Sequence, residues 1–137
     1  MVVMRFHKYI PVFLTVIIFL LYGRSLSYDF IKYWDNEGYS YVEGNTLIQS
    51  LNSGNIKIIF TEPFDQHYHP LTLLSLAADY ALFGSVPSGF RFTNLLLFAL
   101  ITISVFFFIK QLTGNTSAGF FAALFFALHP YNAESVL

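Results

Sequence analysis

The stretch that decides the fold is residues 92–109, FTNLLLFALITISVFFFI, which lies between Arg91 and Lys110. These 18 residues include no charged side chain. As a helix the stretch is about 27 Å long, which nearly matches the ~30 Å hydrocarbon core of a bilayer. The stretch therefore predicts a membrane-spanning helix.

The composition points to the same class of protein. Of the 137 residues, 55% are hydrophobic and 11% are charged, and the mean hydropathy is +0.58. A soluble domain is about 25% charged because charged groups cover a surface that faces water. The 17 Phe and 9 Tyr residues exclude an intrinsically disordered chain. A net charge of −1 gives no indication of nucleic-acid binding, and the lack of cysteine excludes disulfides, thiolate metal sites and cysteine nucleophiles.

Two further uncharged stretches, residues 9–23 and residues 111–133, predict two more spans. The first lies between Lys8 and Arg24, whose long side chains can reach the headgroups and lengthen a short span. A cleaved signal peptide, with Ser25 to Ser27 as its cleavage site, is the alternative for this stretch. We expect an all-α polytopic membrane protein with three spans, at residues 9–26, 91–110 and 116–130, and an outer loop at 27–90.

The distribution of charge predicts the orientation. The loop from residue 28 to 90 contains seven acidic and two basic residues, whereas the N-terminal tail and the turn at Lys110 contain bases without acids. The positive-inside rule therefore places the N-terminus and this turn in the cytoplasm and the loop outside. We interpret the glycosylation sequon at Asn115, which would then be cytoplasmic, as a chance occurrence.

The outer loop is rich in aromatic residues, which favour the membrane–water interface. Within it the sequence predicts a short helix at 45–53 closed by Gly54, a short strand or extended segment at 56–60, and a helix at 70–83. The last of these is rich in leucine but contains Asp79, so we expect it to lie at the interface and not to span.

Three polar clusters fall on the outer side in this topology, together with Arg91. They are residues 33–39 (YWDNEGY), 65–70 (DQHYHP) and 129–135 (HPYNAES). Because segments far apart in sequence meet at one surface, we expect a functional site there. The sequence contains no P-loop, Rossmann glycine pattern, HExxH motif or nucleophile elbow, so it gives no support to nucleotide or serine hydrolysis.

Each cluster also has a purely structural interpretation. Asp35 and Glu37 could form a solvated acidic face of the loop. His67 and His69 could be two metal ligands or could make hydrogen bonds at the interface.

His129 and Arg91, which flank the predicted spans, also have purely structural interpretations. His129, with the proline that follows it, could simply cap the third span. Arg91 could be an ordinary interfacial anchor of the second span.

The clusters resemble the integral-membrane glycosyltransferases of the C superfamily. The nearest resemblance is to the branch that carries C-terminal tetratricopeptide repeats, which includes the animal transmembrane-and-tetratricopeptide mannosyltransferases. Motifs of this branch occur in the same order and at similar spacing at residues 30–45 (FIKYWDNEGYSYVEGN), 68–72 (YHPLT), 82–84 (LFG), 90–97 (FRFTNLLL), 127–130 (ALHP) and 134–136 (ESV). The paired aspartates of the branch are reduced here to Asp35, and Phe90 replaces a histidine. Members of this branch continue with further spans and repeats, so we expect the chain to be an N-terminal fragment that is inactive by itself.

The resemblance implies transfer of a sugar from a polyprenyl-phosphate donor to a hydroxyl acceptor outside the membrane. Asp35 is then the candidate catalytic base, with Glu37 in reserve, because a carboxylate beside the acceptor can remove its proton. Arg91 and His129 are the candidates that bind the donor phosphate, whose negative charge grows as it leaves.

His69 and Glu134 complete the candidate site as supporting residues. His69 could orient the base or help to hold a divalent cation with Asp35; no cofactor is certain, and the metal is unknown. The expected partners are the lipid bilayer, the polyprenyl-phosphate-linked sugar and a protein or glycan acceptor, with no nucleic acid.

The expected location is the bacterial inner membrane, or the endoplasmic reticulum in a eukaryote. Two alternatives remain open. One is a non-enzymatic, membrane-anchored interaction protein or degenerate remnant. The other is a piece of a transporter, although no predicted span carries an ionisable residue in its interior.

Overall fold

The computed structural model describes residues 8–30 and 41–133. Six α-helices lie wholly within these ranges: α1 (Ile10–Tyr22), α2 (Ser53–Thr61), α3 (Pro70–Phe83), α4 (Pro87–Thr113), α5 (Thr116–Leu128) and α6 (Pro130–Ala133). A 3₁₀ segment, Gly23–Ser27, continues α1. Over the described ranges there is no β-strand, only an isolated bridge between Phe64 and His67. The predicted all-α class is confirmed.

Within the described ranges, two helical segments are long and apolar enough to cross a membrane. They are Ile10–Ser27, with 18 residues, and Pro87–Thr113, with 27. Only 17% of the first apolar window and 28% of the second are buried inside the protein. The central helix of a soluble protein would bury most of its residues, so these largely uncovered helices favour a lipid environment.

The third predicted span coincides with a shorter helix. α5 begins at Thr116 as expected but ends at Leu128, so its 13 residues are about 20 Å long, less than the ~30 Å of a hydrocarbon core. The helix ends there because Pro130 cannot continue it, and His129 adopts an extended conformation.

The described residues form two compact units, the first from 8–26 and 91–133 and the second from 27–30 and 41–90. In the first unit, Leu14, Ile18 and Tyr22 of α1 are buried against α4 and α5. The Tyr22 hydroxyl donates a buried hydrogen bond to the Ala127 carbonyl, 2.8 Å away. This bond satisfies a polar group that would be costly to leave unpaired in an apolar core.

Small residues let α5 approach α4 closely. The buried face of α5 consists of Gly119, Ala123 and Ala127, spaced four residues apart. A Cβ atom at Gly119 would lie 2.7 Å from the carbonyl oxygen of Phe106 on α4, so the two backbones touch at this point.

Asn115 marks the turn between these two helices. Gly114 adopts φ +67° and ends α4, and the Asn115 side-chain oxygen then accepts hydrogen bonds from the amides of Ser117 and Ala118. Asn115, the asparagine of the sequon, is therefore the N-cap of α5. It has this structural role although the sequon itself is interpreted as a chance occurrence.

The second unit differs from the sequence prediction in two places. Residues 46–48 form a turn, so the helix predicted at 45–53 is wrong, and residues 56–60, predicted as a strand, lie inside α2. The reason is the N-cap at Asn52, whose side chain accepts from the Asn55 amide at 2.8 Å and starts a helix. Gly54 therefore lies in the first turn of α2 and does not close a helix.

The core of this unit is built around the packing of α2 on α3. It consists of apolar residues from both helices, from the segment before α2 and from the first turn of α4: Val42, Ile48, Ile59, Leu73, Ala77 and Phe90. The predicted helix at 70–83 is confirmed as α3, which begins at Pro70 and is followed by Gly84 at φ +64°.

Candidate functional site

The two candidate catalytic carboxylates, Asp35 and Glu37, lie outside the described residues, as does the supporting Glu134. Of the remaining candidates, His69 belongs to the second unit, and Arg91 and His129 belong to the first. The convergence of the three clusters on one surface therefore stays a prediction.

The segment that carries His67 and His69 is a tight two-residue turn. Phe64 and His67 exchange both backbone hydrogen bonds, each 2.9 Å long, across Asp65 and Gln66. Asp65 and Gln66 both have positive φ, +48° and +67°. This is the mirror-image turn that usually contains Asn-Gly, because left-handed φ costs a residue with a Cβ about 1–2 kcal/mol. The strain is concentrated next to the two histidines.

The tautomer of His67 follows from its contact with the turn. Its Nδ1 lies 2.8 Å from the Asp65 carbonyl oxygen, which can only accept, so Nδ1 carries the proton and donates. The Nε2 lone pair is then available as an acceptor or a metal ligand, the arrangement that usually orients a coordinating histidine.

His69 lies beside His67 at the start of α3. The two imidazole rings are nearly parallel, with an interplanar angle of 20° and centroids 5.3 Å apart, and both residues are exposed. Across the described ranges no group of three or more His, Cys, Asp or Glu side chains could hold a metal ion. The histidine pair alone thus supplies two ligands, fewer than the usual three or four protein ligands of a zinc site.

A hydrogen bond fixes the histidine turn against α2. The hydroxyl of Tyr68 donates to the Phe60 carbonyl at the C-terminal end of α2, over a distance of 2.9 Å. Tyr41 packs edge-on against Phe64 at the start of the turn, with ring centroids 5.0 Å apart. The two contacts position the turn relative to the core of the second unit. The hydrogen bond of the Tyr68 hydroxyl gives Tyr68 a structural role that the sequence alone did not reveal.

Arg91 is the fifth residue of α4 and is half-buried. It lies near the N-terminal end of the longest candidate span, Pro87–Thr113. Basic residues are more often favourable at the C-terminal end of a helix, where the macrodipole is negative. Helix electrostatics therefore does not account for a guanidinium in the first turns of α4.

His129 forms the junction between α5 and α6. Its amide donates to the Phe126 carbonyl at 3.3 Å, and its Nδ1 accepts from the Tyr131 amide at 3.3 Å. Since Nδ1 accepts, the neutral ring carries its proton on Nε2, which can donate to an external oxygen. His129 is interpreted either as a cap of the third span or as a residue that binds the donor phosphate. The two interpretations are compatible, because His129 caps α5 and its Nε2 proton is still available as a donor.

Asn132 is a structural residue of this junction that the sequence analysis did not single out. Its side-chain amide donates to the Phe126 carbonyl at 2.8 Å, which satisfies an acceptor at the end of α5 and holds α6 in place. The only sequence signal was its position three residues after His129 in the last polar cluster.

Two curated proteins share part of this sequence. The chain is 38% identical over 69 residues to Protein O-mannosyl-transferase TMTC2 of Mus musculus, and it has the same identity over the same length to the protein of that name from Homo sapiens. The match includes 50% of this chain but 8% of each relative, so the chain spans a small part of their length. No protein-family model matches the chain, and no solved structure matches it. Half of the chain is therefore similar in sequence to proteins named as O-mannosyltransferases.

Proposed function

We propose that this chain is part of a membrane glycosyltransferase, which moves a sugar from a polyprenyl-phosphate donor to a hydroxyl acceptor outside the membrane. The observation that carries the proposal is the 38% identity over 69 residues to an O-mannosyltransferase. The two largely uncovered apolar helices support it, because a polyprenyl donor is itself held in a bilayer.

In the proposed reaction the acceptor oxygen attacks the anomeric carbon of the sugar. A carbon–oxygen bond forms to the acceptor, the bond to the phosphate oxygen breaks, and the polyprenyl phosphate leaves with the electron pair. Asp35 takes the hydroxyl proton as general base, with Glu37 as the reserve. Both carboxylates belong to an acidic segment of the outer loop.

The leaving phosphate gains negative charge, so donors next to it lower the barrier. We assign this role to Arg91 and His129. The guanidinium can make paired hydrogen bonds to phosphate oxygens, and the Nε2 proton of His129 is free of the α5–α6 junction. His69 and Glu134 support the site, and a divalent cation at His69 would require further ligands from outside the described residues.

Donor binding is the step to test first, because it does not depend on turnover by a chain that spans 8% of its relatives. The chain, in liposomes, is exposed to a polyprenyl-phosphate mannose that carries a photoactivatable group. We expect covalent labelling that excess unlabelled polyprenyl-phosphate mannose suppresses. Arg91→Gln and His129→Phe should each reduce the labelling at least tenfold, because the first replaces a charged donor by a neutral amide and the second removes the donor, and a hydrogen bond to a charged group contributes about 1.5–3 kcal/mol.

The matched control is Lys57→Gln, which removes a positive charge from the exposed surface of α2. This variant should label like the unmodified chain. Labelling that resists the competitor, or that falls equally in all three variants, would contradict the glycosyltransferase and favour a non-enzymatic membrane protein.

A further inference from the structure

One exposed side of α4 has the residue spacing of a coiled coil. Its members recur at alternating intervals of three and four residues, and all of them are exposed: Asn94, Leu97, Ile101, Ser104, Phe108 and Gln111. This spacing defines the a and d positions of a heptad repeat, which line up along one side of a helix. We call these six residues the α4 seam. It extends from residue 94 to residue 111, about 26 Å, along the longest candidate span.

The α4 seam is separate from the residues by which α4 packs inside the chain. From residue 94 onward, the buried residues of α4 are Leu95, Phe98, Ala99, Thr102 and Phe106. They occupy positions b, e and f of the same repeat, whereas the seam occupies positions a and d. The packing of α4 against α1 and α5 therefore uses other positions and leaves the seam uncovered in a single copy of the chain.

The residue types at the α4 seam are those of a two-stranded coiled coil. Isoleucine at a with leucine at d favours two parallel helices, and a single asparagine at a fixes their register. Ile101, Leu97 and Asn94 supply these three residues. Ser104, at the middle d position, is small, and its hydroxyl already donates to the Leu100 carbonyl at 2.8 Å. It can therefore lie in an apolar interface without an unpaired donor and let a second helix approach closely.

The two amides of the α4 seam indicate that the second helix comes from another copy of this chain. Asn94 lies in the uncharged stretch 92–109, where an amide that faces hydrocarbon loses its hydrogen bonds to water. A carboxamide both donates and accepts, so it is complementary to an identical carboxamide. Two copies inserted in the same orientation and related by a twofold axis place each seam residue opposite its own counterpart. Asn94 then pairs with Asn94 at one end and Gln111 with Gln111 at the other, and the seam brings no like charges together.

We propose that the α4 seam is a dimerisation surface, through which two copies of this chain form a parallel, left-handed pair of helices in the membrane. The helices of such a pair cross at about 20°. The inference requires the membrane location but not sugar transfer, so it goes beyond the proposed function. Dimer formation is measured without any sugar donor, and its failure would leave the result of the donor-labelling experiment unaffected.

Cysteine cross-linking tests the α4 seam directly. The chain has no cysteine, so an introduced one can form a disulfide only with the same residue of a second copy. Leu97→Cys places the thiol on the seam. Leu96→Cys is the matched control, because Leu96 is 40% exposed against 46% for Leu97 but occupies position c. Each variant of the full chain is reconstituted in phosphatidylcholine liposomes at a low protein-to-lipid ratio and oxidised with copper phenanthroline. We expect a disulfide-linked dimer for Leu97→Cys and little or none for Leu96→Cys.

A second substitution in the Leu97→Cys chain tests the asparagine. Asn94→Leu should weaken the dimer about three- to thirtyfold, which corresponds to the ~0.6–2 kcal/mol of an interhelical hydrogen bond in a membrane. The protein-to-lipid ratio at which half of the chain is cross-linked measures this change. Asn94→Gln keeps a carboxamide and should keep most of the cross-linking.

Three results would overturn the inference. Equal cross-linking at positions 96 and 97 would show association without a specific surface. No cross-linking at either position would show that lipid or a different segment covers the α4 seam. Cross-linking at position 97 that Asn94→Leu leaves unchanged would show that the amide does not contribute to the choice of partner.

Discussion

At several positions in this protein, the available space and the backbone angles decide which residue type fits. Gly119 lies where two backbones touch, whereas Asp65 and Gln66 adopt left-handed angles that favour glycine or asparagine. These constraints arise from local geometry, so each can be tested by one substitution with a matched control of the same type.

Gly119→Ala should destabilise the first unit by about 1–3 kcal/mol, the usual cost of forcing extra volume into a packed contact. The new Cβ would lie 2.7 Å from the Phe106 carbonyl oxygen, which belongs to a helix backbone and cannot move aside alone. The free energy of unfolding is measured by titration with denaturing detergent. Gly23→Ala is the control, because a Cβ at Gly23 meets no atom within 4 Å. Equal stability of the two variants would contradict the close approach of α4 and α5.

Gln66→Gly should stabilise the second unit by up to about 1 kcal/mol, because φ at Gln66 is +67° and glycine adopts this angle without strain. The same exchange in the last turn of α4, Gln111→Gly, should instead cost up to about 1 kcal/mol through lost helix propensity. Thermal unfolding of both variants tests the prediction. A loss of stability at both positions would show that residue 66 does not have a left-handed conformation.

The helices show which elements of the fold the sequence predicts correctly and which it does not. The long apolar stretch at 92–109 predicted α4, and proline with leucine predicted α3, because these signals are strong within a short window. Residues 56–60 predict a short strand or extended segment, but an asparagine cap four residues before them starts α2. The hydrogen-bonded turn before the two histidines was not foreseen, since Asp-Gln is an uncommon pair at left-handed angles. The predicted convergence of the site depends on contacts between distant segments, which local patterns do not encode.

Asn115→Ala should destabilise α5 by about 1 kcal/mol, because it removes the acceptor for the Ser117 and Ala118 amides. Asn115→Asp should retain most of the stability, since aspartate caps equally well and its charge interacts favourably with the helix N-terminus. Circular dichroism during thermal unfolding in detergent measures both effects. Similar losses in the two variants would mean that this asparagine has no capping role.

At the scale of the whole molecule, the charges predict one orientation in the membrane. Glu62→Cys lies in the predicted outer loop, and Gln111→Cys lies at the turn predicted to be cytoplasmic. In intact cells an impermeant maleimide should label position 62, whereas position 111 should react only after permeabilisation. Both side chains are exposed in the structure, so a difference in labelling reports the side of the membrane and not burial. The opposite pattern would invert the topology and place the candidate site in the cytoplasm.

The short α5 has a consequence for how the chain is made. A 13-residue apolar helix offers too little hydrophobic length to partition into a bilayer by itself, but it is joined to the 27-residue α4 by only two residues, the left-handed Gly114 and the N-cap Asn115. The small buried face of α5 lets it dock on α4 as soon as both have left the ribosome. The insertion machinery would therefore receive α4 and α5 as one helical hairpin. The longer helix would supply the driving force, and the release of α5 into lipid would depend on prior synthesis of its partner.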